Sequence, residues 1–298
     1  MYTFSILPIE LVYRILDHLT DFTLVFSMQN VCQRFNQILN IYHRYQVRLP
    51  SSLPTFSSVL VYMSLVVSNL ISLLKKKRFH NSEAISTRAQ HISAALRRNT
   101  TLITLNLGDN EIGHRGAQHI GDALQTNTRL TTLTLGSNRI GDQGTQHISD
   151  ALRTNTTLTT LNLRGNRIGH QGAQHIGDVL LTNTTLITLN LWDNQIGEQG
   201  AQHISDALQR NTTLTTLDLW GNRIGDQGSQ HISAALQTNT RLTTLNLGGN
   251  EIGHQGAQHI GDVLRTNTRL TTLDLGQNRI GEQGQEYLRS VFGNKVIL

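Results

Sequence analysis

The sequence predicts an α/β solenoid, a curved stack of short parallel strands backed by helices. Three observations carry that reading. A 28-residue unit recurs from about Leu102 onward, with an anchor leucine at Leu105, Leu133, Leu161, Leu189, Leu217, Leu245 and Leu273, seven copies in phase without one insertion. A fixed period of roughly 20–50 residues marks units that bury their apolar face only by stacking. Within a unit, Thr104-Leu105-Asn106-Leu107 alternates polar and apolar, the two-residue period of a strand with one buried face. The second half instead sets Ala117, Ile120, Ala123 and Leu124 at helical spacing, facing the strand leucines.

Each piece of the unit has a local cause. Asn110 and its equivalents Asn138, Asn166, Asn194, Asn222, Asn250 and Asn278 end the strands. An amide there can bond the backbone of neighbouring turns, in place of ladder bonds lost where the chain bends. Gly113 and Gly116 suit the turn into the helix, where a positive φ or a close backbone approach is cheap only for glycine. The run Leu102-x-x-Leu105-x-Leu107-x-x-Asn110 at this period resembles a leucine-rich repeat, of the longer, ribonuclease-inhibitor-like class. The resemblance covers roughly two-thirds of the chain. It implies a horseshoe with parallel strands on the concave face and helices on the convex face.

Ahead of the repeats the grammar changes. Ile15, Leu16 and Leu19, then Leu24 and Val25, then Val31, Phe35 and Ile38 read as about three short amphipathic helices, with Thr20 and Asp21 as turn and cap. The run Leu7-Pro8-Ile9-Glu10, Ile15-Leu16, Leu19 and Val31-Cys32-Gln33-Arg34-Phe35 resembles an F-box. That resemblance implies a small all-α module over 1–48 that docks on the adaptor subunit of an SCF-type ubiquitin ligase. Leu7, Pro8, Glu10, Ile15, Leu16, Leu19, Val31 and Phe35 would make the contact. Phe35 stands where the family usually has Trp, and Thr20-Asp21-Phe22 replaces its acidic-Pro turn. A capping bundle with no partner is the alternative. Cys32 reads as a small packed apolar residue; as the only cysteine it excludes an intramolecular disulfide and suits a reducing compartment.

The opening Met-Tyr-Thr-Phe-Ser-Ile-Leu-Pro lacks a basic stretch and a long apolar run, so no secretory signal is expected and an intracellular setting, cytoplasmic or nuclear, is. The N-x-Thr matches at Asn99, Asn155, Asn183 and Asn211 are accordingly read as polar loop residues.

Residues 49–73 read as an apolar linking or capping region. Val59–Leu74 is interrupted only by Ser64, Ser68, Asn69 and Ser72, and the serines form one stripe suited to packing against protein. A helix of that length reaches roughly 24 Å, short of a roughly 30 Å hydrocarbon core, so a buried helix is preferred to a membrane span. Lys75-Lys76-Lys77-Arg78 is open between an import tract, a membrane-surface patch and cations at a helix C-terminus. Residues 74–101 repeat the unit in degenerate form: Ala89–Leu96 matches the repeat helix, but Lys77 stands where the anchor leucine belongs. Terminal units are atypical because one side meets water. The solenoid is therefore expected over 74–298, as one degenerate and seven full units.

Charge and chemistry exclude several functions. Residues 1–80 hold eight basic against three acidic side chains, while the remaining 17 of each sign cancel. The repeats therefore lack the basic stripe that nucleic-acid binding requires. A histidine column (His119, His147, His175, His203, His231, His259) invites a metal. Stacked helices keep such residues about 10 Å apart, whereas shared ligands must reach within about 2 Å of one ion, so these histidines are expected to pack between helices and bond polar neighbours. His114, His170 and His254 in the turns call for the same caution. No phosphate loop and no nucleophile–base pair stands out. No enzyme, cofactor or metal is expected.

Binding is where the pattern breaks. Outward strand positions are invariant Thr (Thr104 to Thr272), then amide or acid (Asn106, Asn162, Asn190, Asp218, Asn246, Asp274, with Thr134 the exception), a regular polar floor. The next column runs Gly108, Gly136, Arg164, Trp192, Trp220, Gly248, Gly276 and holds both tryptophans of the chain. Trp and Arg are enriched where interfaces concentrate their energy. Arg164, Trp192 and Trp220, with Asp193, Asp218, Arg167 and Arg223 at the rim, are the candidate partner-binding residues. Three function classes follow: a ligase substrate receptor of the F-box type, a leucine-rich-repeat scaffold or inhibitor, and, weakest, a regulator resembling Ran GTPase-activating proteins, for which no acidic tail or rim is present. A monomer binding a protein target is expected.

Overall fold

The computed structural model of the chain describes residues 82–293 and 296–298, all within one compact unit spanning 59–298. The F-box-like module (1–48), the apolar region (49–73) and the Lys75–Arg78 run lie outside the described residues, as does the start of the degenerate unit.

Helices and strands alternate throughout: α1 (Ser82–Arg98), β1 (Thr104–Asn106), α2 (Gly113–Leu124), β2 (Thr132–Thr134), α3 (Gly141–Leu152), β3 (Thr160–Asn162), α4 (His170–Leu180), β4 (Thr188–Asn190), α5 (Gly197–Leu208), β5 (Thr216–Asp218), α6 (Gly225–Thr238), β6 (Thr244–Asn246), α7 (His254–Leu264), β7 (Thr272–Asp274), α8 (Gly281–Phe292) and β8 (Val296–Ile297). The strands form one parallel sheet in chain order, each Leu of the anchor column registered on the next. The fold is the α/β solenoid that the period predicts. Strands stack at about 4.8 Å whereas helices need about 8–10 Å, so the helical side must be the longer arc and the strand side the inner one.

Within a layer the strand leucines and helix residues meet in one continuous core. Leu133, Leu135, Ile140, Ile148 and Leu152 of one repeat are all buried, as are their counterparts in the next. The glycines act as the turn requires: Gly113 has φ +63°, and a Cβ on Gly116 would fall 2.4 Å from Ile112 Cγ2 and 3.1 Å from Ala89 Cβ.

Two asparagine ladders tie the layers. In the first, Asn166 Nδ2 donates to the carbonyls of Leu135, Leu163 and Arg164, while its Oδ1 accepts from the N–H groups of Asn138 and Ile140. The second is built from residues expected in loops. Asn155, Asn183 and Asn211 do lie in the connections between helix and strand, but they are buried there. Each sends Nδ2 to the carbonyl of a helix-end leucine one repeat earlier and takes the N–H of the leucine three residues on, as Asn155 does with Leu124 and Leu158. Asn127, Asn239 and Asn267 complete the column. A buried amide with both ends used this way cannot carry a glycan.

Candidate partner-binding site on the inner face

The site is positioned by backbone, not by loop chance. Beyond the strands the parallel ladder continues one step: Gly165 N–H donates to the Trp192 carbonyl, Asp193 N–H to that of Trp220, and Gly221 N–H to that of Gly248, all at 2.8–2.9 Å. Those bonds hold the Arg164, Trp192, Trp220 and Gly248 columns side by side on adjacent strands. The floor residue two positions earlier turns the chain at each strand end, its side-chain oxygen accepting from the N–H above it: Asn190 from Trp192 at 2.9 Å and Asp218 from Trp220 at 3.1 Å.

On this frame the large side chains lean toward the C-terminus like steps. The Arg164 guanidinium carbon lies 3.8 Å from the centroid of the Trp192 ring. The two indoles meet edge to face, with centroids 5.1 Å apart and planes at 71°, the arrangement aromatic pairs prefer. Trp220 then rests across two glycines. A Cβ on Gly248 would fall 2.4 Å from its Cδ1, and one on Gly249 would fall 3.2 Å from Cε2. Both indoles are half-buried rather than turned in among the leucines, and Arg164 is exposed.

The remaining predicted residues separate into two groups. Asp193, Arg167 and Arg223 are exposed at the turn, all three at positive φ. Among the described residues neither arginine pairs with a carboxylate, whereas along the same rim Arg139 pairs with Glu111 at 2.9 Å and Arg279 with Glu251 at 3.8 Å. Asp218 is not a rim residue. It is half-buried on the floor, bonded to the Trp220 N–H and, at 2.9 Å, by Asn190 Nδ2. Burial pushes its carboxyl above the usual range and the Asp274 charge adds to this; the Trp220 N–H, the Arg164 charge and the Asn190 amide offset only part. The half-burial of this acid in the floor column is a feature the sequence pattern alone did not expose.

Comparison with known proteins agrees with the repeat architecture. The description "Leucine Rich repeat" matches residues 98–121, 210–232, 238–261 and 266–288, and "TMOD/LMOD Leucine-rich domain" matches 113–215. The repeats are leucine-rich repeats. No curated protein matches the chain. Among solved structures, leiomodin-1 actin-binding site 2 is similar at 27% identity, over 44% of this chain and 76% of that one, with a TM-score of 0.41. The C-terminal domain of a Caenorhabditis elegans tropomodulin is similar at 15% identity, over 53% and 93% respectively, with the same TM-score. Likeness at that score fixes nothing about a partner.

On the outer face of the leucine-rich repeats the histidine column differs from expectation. Five of its members are half-exposed and His259 is exposed, and none has a side-chain hydrogen bond among the described residues. Their backbone does the packing instead: a Cβ on Gly121 or Gly177 would fall 2.7 Å from the His147 or His203 carbonyl oxygen of the next helix. Among the described residues no three metal-ligating side chains converge, and no helix is long and apolar enough to cross a membrane.

Proposed function

We propose that the chain is a protein-binding module whose inner face takes its partner on the Arg164, Trp192 and Trp220 steps. The observation that carries this is the stack itself. Two half-exposed indoles are held edge to face, with a guanidinium over the first, in the middle of an otherwise small and polar wall. A surface aromatic pair adds nothing to a core that is already closed beneath it, and such anchors concentrate binding energy in interfaces. Trp192→Ala combined with Trp220→Ala should leave the far-UV circular dichroism and unfolding midpoint nearly unchanged. Partner affinity should drop about 30-fold or more. A double variant that holds its partner as tightly as the parent chain rules the site out.

The finer reading is a substrate receptor of an SCF-type ligase in an intracellular compartment. It rests on the Leu7-Pro8-Ile9-Glu10 to Phe35 run of the sequence. On this reading the protein forms no bond itself and acts by holding a target near the ligase. Purified adaptor should be retained by the full chain and lost on Leu7→Ala with Pro8→Ala or on Leu19→Asp. Retention by those variants, or none by the parent, leaves a leucine-rich-repeat scaffold without a ligase.

A further inference from the structure

We propose that the recess beside Trp220, floored by Gly276 and flanked by Asp218 and Asp274, takes a lysine or arginine side chain of the protein partner. The inference rests on the inner-face reading above and adds the charge of what is bound there.

The floor column shows that the bond turning the chain at these positions does not require a carboxylate. Asn106, Asn162, Asn190 and Asn246 occupy it in other repeats and make the same bond to the N–H two residues on, at 2.9–3.0 Å. Asp218 and Asp274 make that bond too, to Trp220 and Gly276, at 3.1 and 2.9 Å. For that bond an amide would serve equally and would avoid half-burying a charge, although Asp218 Oδ2 also accepts from Asn190 Nδ2 at 2.9 Å. The negative sign itself is what asparagine could not supply.

The Arg164 charge answers that of Asp218 only in part, and from beyond ion-pair distance. Among the described residues no basic side chain lies within ion-pair distance of Asp218 or Asp274. The two sit on alternate strands with Asn246 registered between them, about 10 Å apart by strand spacing. One ammonium or guanidinium entering between them approaches both. Among the described residues the space is open: the only atom within 4 Å of a Cβ built on Gly276 is Asp274 Oδ1, at 3.2 Å.

The preceding repeat shows the same type of contact already filled from within. Arg164 stacks on Trp192 from the N-terminal side. On the far side of Trp220 the column offers Gly248 and Gly276, so no arginine of that column plays that part there. An indole beside two carboxylates and a bare floor fits a cation, by attraction to the ring and to the charges together.

Both tryptophans of the chain lie at this site, so its intrinsic emission reports on it. The full chain is titrated with Ac-Gly-Arg-Gly-Lys-Gly-amide and, separately, with Ac-Gly-Glu-Gly-Glu-Gly-amide. The basic peptide should change the emission saturably and the acidic one should not. Asp218→Asn and Asp274→Asn should each weaken the basic peptide about fivefold without lowering the unfolding midpoint. Absence of a saturable change, an equal response to the acidic peptide, or unchanged affinity in the doubly substituted chain overturns the assignment. If the asparagine variants keep the protein partner while the tryptophan double variant loses it, the cation assignment falls and the inner-face reading stands. If the tryptophan double variant keeps the partner, both fall.

Discussion

Asp218 separates what a residue does for the fold from what it does for the site. Its hydrogen bond to the Trp220 N–H is one that Asn190 makes equally well one repeat earlier. Its carboxyl is raised above the ordinary range chiefly by burial, with Asp274 adding to the effect. A group raised in the folded state favours folding when protonated, and that gain is lost as pH climbs through the folded value. At neutral pH the ionised form is therefore a burden on stability. Asp218→Asn should raise the urea midpoint at pH 7, and the advantage should close toward about pH 4, where the unfolded carboxyl also holds its proton. A variant less stable than the parent at pH 7 would mean that the carboxylate is structural after all. The sequence exposed the acids in this column but not their burial, since nothing in the pattern tells a half-buried Asp218 or Asp274 from an exposed one. The Asn127 column was hidden for a related reason. Its polar setting between helix and strand, N-x-Thr at Asn155, Asn183 and Asn211, has the composition of a surface loop, whereas stacking seals that loop between layers. The signal lay in its unbroken 28-residue spacing.

At the scale of elements the units are not all alike. Helices α4 and α7 start at histidine behind an extended glycine, Gly169 with φ −93° and Gly253 with φ −94°, while the matching glycines of the other full repeats have positive φ. The cause is an aspartate one repeat earlier. Asp142 Oδ1 accepts from the N–H groups of Gly169 and Gly172 at 2.7 and 2.9 Å, and Asp226 does the same for Gly253 and Gly256. The cap of one helix is thus supplied by its neighbour, satisfying N–H groups that a helix start otherwise leaves open. Asp142→Ala should lower stability by about 1 kcal/mol and shift α4 toward the positive-φ start of its neighbours. An unchanged unfolding midpoint would show that water replaces the cap at no cost. Each unit read by itself predicts a strand, a turn and a helix in the right places. The cap was not legible, because its signal is a pair of residues in successive units (Asp142 with Gly169-His170, Asp226 with Gly253-His254) and no single unit contains it.

At the scale of the molecule, contacts run between neighbours, so stability is a sum of repeat and interface terms and openings propagate from weak points. Trp192 and Trp220 follow β4 and β5, with full repeats on both sides. The proposed partner site therefore lies where opening requires the most neighbours to give way, which keeps its geometry fixed. Toward the C-terminus the sheet ends on β8, two residues long, with Ile297 exposed. Amide exchange should accordingly be slowest in β3 to β6 and fastest toward β8. Asn166 tests whether the layers are coupled only locally. It is fully buried and joins two repeats through five hydrogen bonds. Asn166→Ala leaves several of those backbone groups without a partner and should cost about 3 kcal/mol. Exchange should quicken around β2 and β3, while the Asp193 and Gly221 amides stay protected by their bonds to the Trp220 and Gly248 carbonyls. Equal loss of protection across all strands would mean that the solenoid opens as a single unit. The rigidity of the tryptophan steps would then belong to the whole stack and not to the repeats that carry them.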